Sequence, residues 1–218
     1  MNLFSYKTYI FDCDGVILNS NPVKSDAFYK IALPYGIENA KAFENYHRLH
    51  GGISRYDKID YFFNNILRRK PTSNEKDKLL KLFSEEIKNG LMKCEVADGL
   101  QELRKETVNS TWMVVSGSDE DELRDIFRTR KLDGFFDGGI FGSPTTKDEI
   151  LARELKSGNI KYDVLFLGDS LHDYHAALKA NMGFIFISNW SEFENGMHYF
   201  TKKGVHVVPS IGHLKFLR

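Results

Sequence analysis

Cysteine is scarce in this chain, and neither sign of charge is in excess. Cys13 and Cys94 are the two cysteines among 218 residues, and two cannot build a disulfide framework, so we expect a reducing compartment. Lysine and arginine number 30, which equals the number of aspartates and glutamates. Because nucleic-acid-binding proteins usually carry a basic excess, this balance gives no support to a nucleic-acid partner.

Long hydrophobic runs are also missing. No apolar run reaches the roughly 18 residues that a membrane-spanning helix requires. The N-terminus lacks the basic stretch followed by an apolar stretch that marks a secretory signal. We therefore predict a soluble, cytoplasmic protein without a membrane partner.

The chain does contain short, continuous apolar runs that are rich in β-branched and aromatic residues. Such runs are typical of strands buried on both faces, as in a parallel sheet. Helical patterns lie between them, and Ser118 with Asp121 and Thr146 with Glu149 resemble capping boxes that begin two helices. The alternation predicts an α/β fold with a Rossmann-like parallel sheet flanked by helices. The predicted strands lie within residues 6–15, 111–118, 162–170, 184–188 and 205–209.

The stretch between residues 19 and 89 differs, because helical periodicity fills it and strand-like runs are missing. One apolar stripe covers residues 59–67, and a second covers residues 79–87 and closes near Gly90. We therefore predict two domains. They are an α/β core from residues 1–18 and 90–218, and an inserted all-helical cap domain from residues 19–89.

Groups suited to phosphate chemistry follow the predicted strands at their carboxyl ends, where open parallel sheets bind ligands. Because residues i and i+2 of an extended segment point the same way, Asp12 and Asp14 can face one ligand. Taken alone, each group is explained at least as well by a turn, and their order along the chain is the signal. The others are Ser116, Gly117 and Ser118 after residues 111–115, Lys147 at a helix start, and Asp169 with Asp173 after residues 162–168.

The carboxylates predict a magnesium site. Asp12 and Asp169 offer hard oxygen ligands, and Mg²⁺ prefers few carboxylates together with water and substrate phosphate. A cation that keeps Asp12 ionised leaves Asp14 free to hold a proton, which makes Asp12 the nucleophile and Asp14 the general acid and then base. Attack by Asp12 on phosphorus gives an aspartyl-phosphate that water hydrolyses. Ser116 and nearby N–H groups would hold phosphoryl oxygens, and Lys147 would neutralise charge.

Several other side chains have simpler interpretations. A zinc site is disfavoured, because the pair His47 and His50 lacks a clear third ligand, and so does the pair His172 and His175. Cys13 points away from the acids in an extended segment, so it suits a buried hydrophobe better than a catalytic thiol. We expect ordinary surface roles for Tyr46, His47, His50 and Lys58.

Together the motifs resemble those of the haloacid dehalogenase superfamily, in the branch with a helical cap inserted after the first motif. "FDCDGV" resembles the first motif, "VVSGS" the second, "GSPTTK" with Lys147 the third and "GDSLHD" the fourth. The resemblance implies Asp12 as nucleophile, Asp14 as acid and base, and Mg²⁺ held by Asp12, the Asp14 backbone carbonyl and Asp169. It also implies that Asp173 lies behind these ligands or orients Lys147.

Details of the motifs select among the chemistries of the superfamily. Asp14 favours phosphate-ester chemistry, since phosphonatase members lack an acid at this position. "GGISRYDKI" resembles the cap substrate loop of phosphatases and of β-phosphoglucomutase, which implies that Arg55 is a cation that reaches a substrate anion. Gly168 and Asp173 fit the phosphatase pattern, whereas the mutase carries an acid before Asp169.

We therefore expect a Mg²⁺-dependent phosphatase that hydrolyses a small phosphorylated metabolite, such as a sugar phosphate or phosphoglycolate. A sugar phosphomutase of the β-phosphoglucomutase type is the alternative with related chemistry. A receiver-like phospho-acceptor and a non-catalytic binding protein are alternatives from other classes. The inserted helices count against the receiver, and intact Asp12, Asp14, Lys147 and Asp169 count against the binding protein.

Overall fold

Six strands form one sheet in the computed structural model, which describes residues 5–72 and 74–217. The strands are β1 (Thr8–Phe11), β2 (Thr111–Asp119), β3 (Gly139–Ser143), β4 (Val164–Gly168), β5 (Gly183–Ile187) and β6 (His206–Val208). Their order is β3-β2-β1-β4-β5-β6, and every neighbouring pair is parallel. The predicted parallel α/β sheet is confirmed, and β1 and β4 lie side by side at its centre.

The described residues also form α-helices on both sides of the sheet and in a long insertion after β1. We call residues 21–93 the helical insert, because α1 to α4 fill it. None of these helices is long and apolar enough to cross a membrane. Residues 1–4 of the predicted core domain lie outside the described residues. The helices are α1 (Asn21–Ala32), α2 (Ile37–Leu49), α3 (Arg55–Tyr61), α4 (Glu75–Lys93), α5 (Leu100–Glu106), α6 (Glu120–Thr129), α7 (Lys147–Ser157), α8 (Leu171–Lys179) and α9 (Gly196–Lys202).

Both faces of the central strands are buried, and this explains why their apolar runs are continuous. In β1, Tyr9 and Phe11 pack into the core that is shared with the helical insert. Ile10 points to the opposite face and packs into a second core. Because successive side chains of a strand alternate between faces, both neighbours in sequence must be apolar when both faces are covered. Cys13 is buried as predicted.

The edge strand β3 was not predicted from the sequence. Its residues, Gly139–Ser143, include two glycines, so only Ile140 and Phe141 give an apolar signal. The predicted capping box at Ser118 is wrong by one residue. β2 continues to Asp119, which pairs with Ser143, and the Asp119 side chain accepts a hydrogen bond from the Glu122 N–H to begin α6.

The structure tests two predicted helix boundaries, the start of α7 and the end of α4. The capping box of Thr146 and Glu149 is confirmed at the start of α7. The prediction that the second apolar stripe closes near Gly90 is wrong, because α4 continues to Lys93. A Cβ at Gly90 would meet the Val23 side chain, so this glycine permits close packing of α1 against α4.

Candidate active site

Three carboxylates meet at the carboxyl edge of the sheet. Asp12 follows β1 and Asp169 follows β4, and these strands are neighbours with Phe11 paired to Leu167. Asp173 joins them from the first turn of α8. One oxygen of each of the three carboxylates lies within 4.8 Å of the other two. Asp12 and Asp169 are more than 150 positions apart in the chain, yet they belong to one buried cluster.

Lys147 is the cation of this cluster. Its Nζ lies 3.0 Å from Oδ1 of Asp12 and also forms an ion pair with Asp173. Burial lowers the pKa of Lys147, but the carboxylates of Asp12 and Asp173 outweigh burial and raise it. The lysine at the first position of α7 therefore has anions opposite it, which offsets its unfavourable place at a helix N-terminus.

Asp173 is fully engaged by its neighbours. One oxygen pairs with Lys147, and the other accepts hydrogen bonds from Ser170 Oγ at 2.6 Å and from the backbone N–H groups of Ser170 at 3.1 Å and Asp169 at 3.3 Å. The side chain therefore fixes both the lysine and the turn after β4. This placement supports the expectation that Asp173 orients Lys147.

The carboxylates of this site suit a divalent cation, because they offer free oxygen atoms and leave a net negative charge. Oδ1 of Asp12 accepts from the Cys13 N–H at 2.7 Å, and Oδ2 of Asp169 accepts from Asn21 at 2.9 Å, which leaves the second oxygen of each carboxylate for a cation. Burial raises the pKa of Asp12 to about 7 and that of Asp169 well above its usual range, with nearby carboxylates adding to both shifts. Two negative charges remain when all of these groups are ionised, because the carboxylates of Asp12, Asp14, Asp169 and Asp173 face the ammonium groups of Lys24 and Lys147.

Gly15 allows the loop after β1 to approach Asp169. Its φ is +75°, a conformation that favours glycine, and a Cβ there would collide with the Asp169 carboxylate and the Asn21 amide. Asn21, at the start of α1, donates hydrogen bonds to Oδ2 of Asp169 and to the Trp190 carbonyl, each at 2.9 Å. The loop and the first helix of the insert thus hold Asp169 in place.

Asp14 is held in a way that differs from the expected protonated acid. Lys24 Nζ lies 2.6 Å from Oδ2 of Asp14, and the hydroxyls of Ser20 and Ser118 donate to the same carboxylate at 2.5 and 2.7 Å. Burial alone would raise the pKa of Asp14, but Lys24 and these hydrogen bonds outweigh it and hold the pKa at about 2. In this arrangement Asp14 is ionised.

Ser116 and Gly117 lie at the end of β2, next to Asp14 and its partners. Ser116 is buried, and its Oγ accepts a hydrogen bond from the Ser118 N–H at 3.1 Å. A Cβ at Gly117 would collide with the Gly52 carbonyl of the insert, so the glycine is needed where the two parts of the chain touch. Their predicted role in phosphate binding stays a prediction.

Arg55 forms an ion pair that connects the insert to α6, the helix that follows β2. Its guanidinium donates to both carboxylate oxygens of Glu122 on α6, at 2.6 and 3.1 Å, and to Ser84 at 2.9 Å. The guanidinium also lies 4.7 Å from the centre of the Phe83 ring. The predicted substrate cation thus has a carboxylate partner in this structure, although it lines the cavity described next.

A cavity of about 320 Å³ separates the helical insert from the sheet edge. Asp14, Gly117 and Asp169 line it from the sheet side. The opposite wall comes from the insert, where Gly52 packs against Ser170 and His172. Ligand sites of small molecules measure roughly 300–1,000 Å³, so the volume suits a small metabolite. The insert contributes the basic and aromatic residues Lys24, Phe28, His47, Arg48, His50, Arg55, Lys58 and Phe83.

Several residues of this wall were missed or misplaced by the sequence reasoning. The expected surface roles of His47 and Lys58 are wrong, because 5% of His47 and 2% of Lys58 are exposed. A signal was present, since Lys24 has the helical spacing of the buried Phe28 and Ile31. A charged residue on an apolar helix face indicates a buried polar site, and the same spacing places His47 on the buried face of α2. Glu192, which also lines the cavity but lies outside the insert, gave no such signal, because it lies in a loop.

Comparisons with known proteins agree with this architecture. The crystal structure of a predicted phosphatase from Clostridium acetobutylicum matches with a TM-score of 0.74 and 20% sequence identity, over 97% of this chain and 98% of that chain. A phosphonoacetaldehyde hydrolase-like protein from Oleispira antarctica has a TM-score of 0.75 and 13% identity, over 97% and 91%. A predicted phosphoglycolate phosphatase from Haemophilus somnus has a TM-score of 0.72 and 16% identity, over 98% of both chains.

At these identities the structural neighbours establish the fold alone. The comparison with curated proteins finds no match for this chain. The sequence model of one family, described as haloacid dehalogenase-like hydrolase, matches residues 9–187, which span the first and fourth motifs and the whole insert. This chain therefore belongs to the haloacid dehalogenase-like hydrolase family.

Proposed function

We propose that this chain is a Mg²⁺-dependent phosphomonoesterase that acts on a small phosphorylated metabolite. The observation that carries the proposal is the buried cluster of Asp12, Asp169 and Asp173 around one ammonium group, Lys147, beside a cavity of metabolite size. Hard oxygen donors with residual negative charge suit Mg²⁺ better than a softer ion. The residues proposed to hold it are Asp12, Asp169 and the backbone carbonyl of Asp14.

The proposed reaction has two steps on Asp12. When bound, Mg²⁺ supplies the positive charge that neutralises the phosphoryl oxygens and keeps Asp12 ionised. A carboxylate oxygen of Asp12 bonds to phosphorus while the bond from phosphorus to the ester oxygen breaks, which gives an aspartyl-phosphate and the alcohol. Water then attacks the phosphorus, releases inorganic phosphate and restores the carboxylate. Lys147 balances charge in both steps, and Ser116 with the Gly117 N–H is proposed to hold phosphoryl oxygens.

Asp14 and Lys24 together are proposed to handle the proton. In the free protein Asp14 is ionised, because Lys24 and the hydroxyl groups around it hold the pKa of Asp14 at about 2. The leaving alcohol oxygen must gain a proton in the first step, so the pair delivers it through Asp14 or directly from Lys24. In the second step the ionised Asp14 accepts a proton from the attacking water.

The helical insert is proposed to act as a cap that excludes bulk water. Its contacts to the α/β core include three polar pairs beside the apolar packing: Arg55 with Glu122, Tyr56 hydroxyl with Asp119 at 2.7 Å, and Arg48 with Glu192. Such contacts can break and re-form when substrate enters and product leaves.

Phosphate release from a panel of sugar phosphates, phosphoglycolate, glycerol phosphates, nucleotides and p-nitrophenyl phosphate tests the function. With Mg²⁺ we expect turnover, and we expect EDTA and Asp12→Asn each to reduce it to background. The matched control is Asp148→Asn, because Asp148 lies on the exposed face of α7 and pairs with Lys179. Wild-type turnover that persists in EDTA, or turnover that survives Asp12→Asn, would contradict the proposal.

A further inference from the structure

The cations around the cavity differ in whether a carboxylate neutralises them. Lys24 pairs with Asp14, Arg55 pairs with Glu122, and Arg48 pairs with Glu192 and Glu44. Among the described residues, Lys58 has no carboxylate oxygen within 4.0 Å of its ammonium group. Its nearest hydrogen-bonding partner is Nδ1 of His47, at 2.7 Å. Lys58 is therefore a buried cation that lines the cavity without a counter-ion.

His47 adds a second unsatisfied group to the same wall. When Lys58 is charged, its ammonium group only donates hydrogen bonds, so Nδ1 of His47 accepts from Lys58 and the ring proton lies on Nε2. Nε2 is buried and has no hydrogen-bond partner among the described residues. The nearest carboxylate oxygen, on Glu192, is 3.8 Å away, beyond hydrogen-bond distance. Burial lowers the pKa of His47 well below its usual range, so the ring is a neutral donor.

Buried charges and donors without partners are unfavourable in a folded protein unless a ligand completes them. An anionic oxygen of a ligand would accept hydrogen bonds from both the ammonium of Lys58 and the N–H of His47 on this cavity wall. Lys58 lines the cavity from the insert, Asp14 and Asp169 line it from the sheet side, and these carboxylates act on the lysine through space. A ligand that reaches both walls has two charged ends.

We propose that Lys58, supported by His47, binds a second anionic group of the substrate, so that the preferred substrates are phosphomonoesters that also carry a carboxylate or a second phosphate. The proposal rests on the proposed phosphatase function for the first anionic group. It differs from the expectation for Arg55, whose charge is already matched by Glu122. Specificity for the second anion thus comes from α3 one turn beyond Arg55, at Lys58.

Matched pairs of ligands test this proposal. Phosphoglycolate is compared with 2-hydroxyethyl phosphate, and 3-phosphoglycerate with glycerol 3-phosphate, to probe a carboxylate. Glucose 1,6-bisphosphate is compared with glucose 6-phosphate to probe a second phosphate. We expect the wild type to favour the doubly anionic member of at least one pair by tenfold or more in kcat/KM. Lys58→Met should bring that ratio close to one, mainly through KM, and His47→Phe should reduce it less.

Lys76→Met is the matched control, because Lys76 also lies in the insert but pairs with Asp60 on the surface, at 2.7 Å. This variant should keep the wild-type ratio. A wild type without preference in any pair, or a Lys58→Met protein that keeps the preference, would overturn the proposal.

Binding measurements separate this proposal from the proposed function. Calorimetric titration of the same ligand pairs into Asp12→Asn, with and without Lys58→Met, needs no turnover. If the wild type hydrolyses no ester but Asp12→Asn binds the doubly anionic ligands at least tenfold tighter through Lys58, the phosphatase function fails and the anion site stands. If esters are hydrolysed without any such difference in affinity, the anion site fails and the function stands.

Discussion

Replacing Lys58 with methionine is expected to stabilise the free protein at neutral pH, although the lysine makes a hydrogen bond. Burial lowers the pKa of Lys58 from its usual 10.5 to about 7, and the positive charge of Lys24 acts in the same direction. At pH 7 the unfolded chain carries the charged lysine, whereas the folded protein must bury the charge or release the proton. The charged groups that face Lys58 are Lys24, Asp14, Glu192 and Asp169, together with His47 in direct contact.

The magnitude follows from these two pKa values. At about 1.4 kcal/mol for each pKa unit, burying Lys58 costs about 4 kcal/mol at pH 7. Methionine removes this cost but leaves Nδ1 of His47 without its donor, which costs about 1–3 kcal/mol. The free energy of unfolding of Lys58→Met should therefore exceed that of the wild type by about 2 kcal/mol at pH 7.

The pH dependence gives the sign of the effect independently of His47. The cost of Lys58 is fully present below pH 7 and fades as the pH rises towards 10.5, because the lysine of the unfolded chain then also loses its proton. At pH 9 about 2 kcal/mol of the cost remains. The advantage of Lys58→Met over the wild type should therefore shrink by about 2 kcal/mol between pH 7 and pH 9.

Urea unfolding at pH 7 and pH 9, followed by circular dichroism, measures both quantities. Lys76→Met is the control, and we expect it to change stability by less than about 1 kcal/mol, since its ion pair is at the surface. A Lys58→Met protein that is less stable than the wild type at pH 7, or an advantage that is equal at both pH values, would refute the reasoning.

Three further substitutions test other parts of the site. Lys147→Met should lower the free energy of unfolding by about 3–5 kcal/mol and abolish turnover, because it leaves the buried carboxylates of Asp12 and Asp173 unpaired; an active, stable variant would contradict this. Gly15→Ala should weaken Mg²⁺ activation at least tenfold, since its Cβ would displace the Asp169 carboxylate, whereas Gly158→Ala, with a similar φ but open space, should not. Glu122→Gln should raise KM by several-fold with a smaller change in kcat, because it weakens the contact of Arg55 in the insert with α6. An unchanged KM would argue against a role of this ion pair in closing the insert over the cavity.

The sequence predicted the sheet and the convergence at its edge because both depend on local patterns. Continuous apolar runs identified five of the six strands, and strand ends in a parallel sheet meet by topology, so Asp12 and Asp169 could be placed together. β3 was missed because an edge strand with two glycines has little apolar signal. The start of α6 was misplaced because the extension of β2 to Asp119 depends on pairing with Ser143.

The insert wall of the cavity was harder to predict because it depends on which polar side chains face each other. The resemblance of the loop around Arg55 to a cap substrate loop implied a cation that reaches a substrate anion, but only the fold shows that Glu122 lies opposite it. In the same way, the ionised state of Asp14 follows from Lys24, which reaches it from α1. A periodicity analysis that counts polar and charged residues on apolar helix faces would have identified Lys24 and His47.

The central claim is that Asp12 takes the phosphoryl group, and locating that group during turnover tests it most directly. Wild-type protein is mixed with Mg²⁺ and the best ester of the panel, quenched rapidly in acid and mapped by peptide mass spectrometry. We predict a phosphorylated peptide that contains Asp12, and neither this peptide nor phosphate release in Asp12→Asn. A phosphoryl group on another residue, or undiminished phosphate release by Asp12→Asn, would contradict the account.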